Sequence, residues 1–294
     1  MQSVATWLVA RPQNAILALA ATLLLPLLQI VSGAIMVLLV LRHGVRLAVI
    51  EGVIAGLFLV AVAIVVGAPV TQIAVSIVAT LLPALLLAVL LHVTRSLALT
   101  MQVSAILAAL AMLVFQFAVD DIVAFWEPVM AMLVEWTRDN NLQLQAEFLV
   151  ADPAMTAEMM TLATVLTRWT IFAVYLLLGY RFFSGLPGAT ENYGRFCDLN
   201  FGRVIALIMA LASLIAYASD TAWLQNVAVV LFMSFWLQGL AIVHWMHVDR
   251  NLPLFVVIAT YVLMLILHVF LVLALAVLGY TDAWFRYRRA TRQQ

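Results

Sequence analysis

Residues 52–91 are forty consecutive positions without aspartate, glutamate, arginine or lysine. Soluble domains place a charge at about one position in four, whereas a helix crosses the hydrocarbon core of a bilayer with about 20 apolar residues. In lipid every backbone N–H and C=O has to be satisfied within the segment, which a helix does unaided. A run of this length therefore requires two membrane helices, and "VGAPV" at 66–70 supplies the turn between them.

Further charge-poor runs lie at 14–41, 96–119, 161–183, 204–219, 222–247 and 252–279. Over the 294 residues, 67% are hydrophobic and 10% charged, and the mean hydropathy is +1.15. The expected fold class is all-α: a polytopic transmembrane helix bundle of about 8–9 membrane helices plus an extracytoplasmic amphipathic helix. Residues 14–41, interrupted by Pro26, read either as one kinked helix or as two short tilted helices. The run after Arg11 is too long for a cleaved signal peptide. Zero net charge argues against nucleic acid as a partner, and the single Cys197 excludes an internal disulfide and a Cys-rich metal site.

Two connections are more than turns. Residues 120–158 hold eight acids against one arginine, Arg138, and cannot span a membrane. Within them Trp126, Met130, Leu133 and Trp136 recur at helical spacing, the pattern of an amphipathic surface helix. Asp152-Pro153 offers an N-cap followed by a first-turn proline. The second connection, residues 184–203, is rich in turn formers and polar residues. All fourteen basic residues are arginine. The positive-inside rule puts the acidic segment 120–160 outside and Arg42, Arg46, Arg95, Arg181, Arg195, Arg203 and Arg250 inside. A basic tail carrying Arg286, Arg288, Arg289 and Arg292 then stays inside only if one C-terminal segment fails to cross fully. The stretch interrupted at Gln238-Gly239 is the expected one.

The blocks "SGLPGATENYGRFCDLNFGRV", "LQGLAIVHW" and "LGYTDAWFRYRR", with "PLLQIVSGAIMVLLVLRHGVRLAVIEGVIAGL" before them, resemble in content and order those of the YybS-like family of bacterial polytopic membrane proteins, a domain of unknown function. The chain departs from that family at "GLPGAT", where many members carry an Asn-Pro-Gly-Gly-Phe turn. The family is distantly similar to substrate-binding subunits of energy-coupling-factor transporters and to the rod-shape protein MreD. The resemblance implies a bacterial inner (plasma) membrane location. It also implies an N-terminal six-helix membrane core within 1–183, a cytoplasmic loop at 184–203, and C-terminal membrane helices with the basic tail at 204–294. It attaches no catalytic role to any residue.

Polar side chains kept inside apolar helices are the candidate ligand-binding residues: Gln29, Glu51, Gln116, Arg168, Gln238 and His268. Glu51 reads either as an intramembrane acid with a working partner or as a carboxylate snorkelling to Arg42 or Arg46. Gly52 and Gly56 have the small-xxx-small spacing of a helix-packing or partner-docking face. Arg168 reads as the partner of a loop acid such as Glu158 or Asp152, or of an anionic ligand. Gln238 needs a partner for its amide: a backbone group, a side chain such as Gln29 or Asn226, or a ligand. His244, His247 and Asp249 are weak metal candidates, since spacing of this kind arises often and no further ligand is evident; they read more simply as residues of an aromatic interface belt with Trp236 and Trp245. Asp282, Trp284 and Arg286 read as the interface end of the last helix.

No catalytic motif is present, so no enzyme activity and no cofactor is expected. Two functions of different class follow. One is a small-molecule-binding or transport-related membrane protein, with a bilayer around it and a small-molecule ligand. The other is an envelope scaffold that docks a membrane protein partner through "GVIAG" and the amphipathic helix.

Overall fold

The computed structural model describes residues 2–189, 191–219 and 221–288. The tail arginines Arg289 and Arg292 lie outside the described residues. Among those described the chain is all-α, with thirteen α-helices, eight of them long and apolar enough to cross a membrane. The chain forms two compact units, residues 1–104 with 170–199 and residues 105–169 with 200–294. Each is built from two stretches of chain, a division that cuts across the sequential one at 183/184.

In the first unit, α1 (Gln2–Ala10) and α2 (Pro12–Leu23) precede a break at Pro26, and α3 runs over Gln29–His43. Residues 14–41 are thus two helices. Proline removes a backbone donor and restricts the residue before it, so the ladder ends there. α4 (Val45–Val66) and α5 (Val70–Thr94) form the expected hairpin. Gly67 closes α4 in the left-handed region at φ 70°, a conformation that costs glycine no Cβ clash. Helix α3 is the core: residues 32–41 are all buried, so it is covered on every face. Close approach makes this possible. A methyl on Gly33 would collide with the Tyr175 ring, and one on Gly179 with Ala34 and Val37.

α6 (Leu97–Ala118) and α9 (Pro153–Ser184) each contribute residues to both units. In the second unit α7 (Ile122–Asp139) is the amphipathic helix read from the sequence. Its Met130 is buried, Trp136 is exposed, and Trp126 Nε1 donates to Thr161 Oγ of α9 at 2.8 Å. A short α8 (Gln143–Ala151) follows. α9 begins eight residues before the expected start at 161, because Asp152 accepts the Met155 N–H at 2.9 Å and Pro153 occupies the first turn.

α10 (Gly202–Ser219), α11 (Ala222–Arg250) and α13 (His268–Phe285) make the other core. α11 is continuous through Gln238-Gly239, which corrects the expected interruption. Gly239 serves packing: a methyl there would strike the Leu275 carbonyl, and one on Gly279 the Phe235 carbonyl. The interruption lies instead at Leu267, leaving α12 (Leu254–Ile266) only thirteen residues long. The pairs Gly239–Leu275 and Gly279–Phe235 make α13 antiparallel to α11. α10 is also antiparallel to α11, and the end of α13 lies at the start of α10, where Arg203 reaches the Trp284 carbonyl.

Candidate functional site

In the first unit, the end of α3 meets the start of α4 at an intramembrane acid. Gly44, at φ 84°, turns the chain between the two helices. Glu51 follows nearly two turns into α4 and is 4% exposed. Its Oε1 is 3.6 Å from His43 Nδ1, the histidine being partly exposed. Its Oε2 is buried with no hydrogen-bond partner. Arg42 and Arg46 are exposed and make no ion pair among the described residues, which corrects the snorkelling reading. At about 100° per residue, positions 46 and 51 point to well-separated faces of α4. Glu51 shares its face with buried Ala48, Ala55 and Leu59. Sequence reasoning missed His43; an ionisable residue at a helix end just before a turn was the available signal.

Gly52 and Gly56 lie on the same buried face. A methyl on Gly52 would come 2.6 Å from the end of Met36, and one on Gly56 3.3 Å from Ile77, so this small-residue face is turned to α3 and α5. Gln29 opens α3 and donates to Ser76 Oγ at 2.8 Å, while Thr80 donates to its carbonyl oxygen at 3.5 Å. Close by, Ser32 donates to Thr22 at 2.6 Å. These bonds tie α2, α3 and α5 together.

The loop after α9 is ordered by its own polar contacts. The Tyr193 hydroxyl donates to Glu191, whose other oxygen lies 3.6 Å from Arg95. The Tyr193 N–H donates to the Tyr180 hydroxyl, and the Tyr193 carbonyl accepts the Leu97 N–H at 2.7 Å. Burial, and then the Glu191 carboxylate, push the Tyr193 phenol above its usual range, so it stays a neutral donor. Cys197 is buried here.

The densest polar cluster is in the second unit. Gln238 is fully buried, as is Asp282. The Phe201 N–H, just before α10, donates to Gln238 Oε1 at 2.7 Å, and Gln238 Nε2 donates to Asp282 Oδ2 at 2.7 Å. Arg288 turns back beyond α13 and donates to the same Oδ2 at 2.7 Å; its side chain is 10% exposed. Arg203 donates to the Trp284 carbonyl at 2.9 Å. A single amide thus links the start of α10, the middle of α11 and the end of α13. Asp282 Oδ1 is buried without a partner. Asp282 had read as an interface residue, and its pairing with Gln238 was missed because 44 residues separate them.

The remaining candidates fall outside these clusters. Gln116 Oε1 is buried without a hydrogen-bond partner on α6. Arg168 is exposed on α9 and makes no ion pair among the described residues, which corrects the pairing with Glu158 or Asp152. His268 is exposed at the first position of α13 rather than in the middle of a helix. His244 Nε2 lies 2.9 Å from the Tyr261 hydroxyl, and His247 Nδ1 donates to the Leu252 carbonyl at 2.6 Å. Arg250 stacks over Trp245. Among the described residues no group of three or more His, Cys, Asp or Glu is placed to hold a metal ion.

A family model described as predicted membrane protein (DUF2232) matches residues 14–283. The chain belongs to that family. No curated protein and no solved structure matches it. In this DUF2232 protein the match takes in Gln29, His43, Glu51, Gln238 and Asp282, and ends before Arg288. The family description places its members in a membrane and states no activity, so the chemistry has to come from the clusters themselves.

Proposed function

We propose that this chain is a small-molecule-binding or transport-related protein of a bacterial inner membrane, and that the His43–Glu51 pair is its working element. The observation that carries this is Glu51 Oε2, an acceptor buried in an apolar helix without a partner. Carboxylates inside membrane spans are costly and tend to mark ion or substrate pathways. His43, partly exposed, links the pair to the edge of the span. Oε2 is left to accept from a ligand N–H or O–H, or to bind a cation. The resemblance to YybS-like proteins, and through them to transporter subunits, supports the same reading. Gly52 and Gly56 are occupied with Met36 and Ile77, so a scaffold function would have to rest on other surfaces.

The proposal includes an orientation. The acidic segment lies outside and the seven arginines inside, and α13 does not complete a crossing, so that the basic tail remains inside. The reach of Arg203, at the start of α10, to the Trp284 carbonyl at the end of α13 supports this.

The test is native mass spectrometry of the protein released from mild detergent. Wild type is expected to retain a small-molecule adduct that Glu51→Gln loses while keeping its melting temperature. Identical spectra from two equally stable proteins overturn the reading.

A further inference from the structure

α10 and α11 do not close completely on each other. Between them runs an open groove of about 400 Å³, bordered by Met209, Ala216 and Tyr217 on α10 and by Gln225, Val229 and Phe232 on α11. Ligand sites begin at about 300 Å³. The groove exists because its floor carries alanines, Ala216 and Ala228, where larger residues would fill it.

Its polarity is ordered along its length. The short connection between the helices sets Tyr217 opposite Gln225, so both lie at the connection end. Met209 and Phe232 lie at the other end, eight residues from Tyr217 along α10, or about 12 Å, and Ser213 midway turns its hydroxyl to Met209 Sδ. Among the described residues no charged side chain lines the groove. Both helices are long and apolar enough to cross a membrane, so an open groove on them faces hydrocarbon, and whatever enters it comes from the bilayer. A chain end is apolar and has no hydrogen bonds to make; a head group does. Tyr217 and Gln225 are exposed hydrogen-bonding groups at the helix ends, where head groups begin.

We infer that this groove is a binding site for one acyl chain of a bilayer lipid, with a zwitterionic head group that carries N–H donors held at Tyr217 and Gln225. It is independent of the His43–Glu51 reading, which concerns the other unit. Site binding differs from ordinary lipid contact in one measurable respect: it saturates.

The experiment reconstitutes the full chain in phosphatidylcholine vesicles containing rising mole fractions of a phosphatidylethanolamine with a photoactivatable group in its acyl chain. Labelled residues are mapped by mass spectrometry. Labelling at Met209, Val229 and Phe232 is expected to saturate, while labelling at Leu211, on the open surface of α10, rises in proportion to mole fraction. Ala216→Trp is expected to remove the saturable component. Because that variant fills a tight space, Gln225→Leu provides a second arm at an exposed position. It is expected to raise the half-saturating mole fraction about threefold or more, the loss of one hydrogen bond. A proportional response at the groove, meaning annular lipid only, or a half-saturation unmoved by Gln225→Leu, overturns the assignment.

Discussion

At the scale of single residues, the most telling position is Gln238. An ordinary interhelical hydrogen bond in a membrane protein contributes only about 0.6 kcal/mol, but the Gln238 amide bridges a backbone N–H and a buried carboxylate. Removing it leaves two buried groups short of a partner, which costs more than the bond itself. Asp282 depends equally on Arg288, since breaking a buried ion pair strands a charge at about 3 kcal/mol or more. Arg288→Ala is therefore expected to destabilise the protein by about that amount. In an Asp282→Asn background the same change is expected to cost under about 1 kcal/mol, because no charge is then stranded. A denaturation cycle in mild detergent measures the difference; equal costs in both backgrounds would show that Arg288 acts through packing alone. That Gln238 and Glu51 are special was legible in the sequence, since polar residues in apolar runs are expensive wherever they point. Their partners were not legible, because helix packing chose them from tens of residues away.

At the scale of elements, apolar runs located the helices and glycines set how closely they pack. The prediction at this scale compares two kinds of tight glycine. A methyl on Gly239 or Gly279 meets backbone across the α11–α13 crossing, whereas one on Gly52 meets the flexible end of Met36. Backbone cannot move aside without separating the helices, and a methionine end can swing. Gly239→Ala and Gly279→Ala are each expected to cost about 1–3 kcal/mol, and Gly52→Ala clearly less, as read by melting in mild detergent. A Gly52→Ala variant damaged as badly as Gly239→Ala would show that α4 is held more rigidly than its contacts suggest. The sequence marks Gln238-Gly239 as an interruption, yet α11 is unbroken. In a helix interior glycine costs about 1 kcal/mol relative to alanine, a modest penalty that a close crossing outweighs. The actual break at Leu267, between two strongly apolar helices, has no proline or glycine to announce it.

At the scale of the whole molecule, the expected outcome concerns sidedness. In a Cys197→Ser background, Asn140→Cys in the acidic segment is expected to react with an impermeant maleimide in intact cells, and Ala189→Cys in the loop after α9 only after lysis. The reverse pattern inverts the orientation, and labelling of both from outside removes the crossing by α9 between them. Charge distribution makes this prediction without any coordinates, because the cost of moving arginine across a membrane acts on each loop separately. The sequence by itself determined the solvent, the all-α class and the position of most helices, since each follows from the local demand that a lipid-embedded backbone satisfy its own hydrogen bonds. Tertiary structure alone decided that His43 faces Glu51, that Gln238 joins Asp282 to Phe201, that α3 is enclosed on all sides, and that α10 and α11 leave a groove. In a chain this uniformly apolar, hydrophobicity does not distinguish one helix face from another. The faces are chosen by which side chains fit together and which few polar groups find one another.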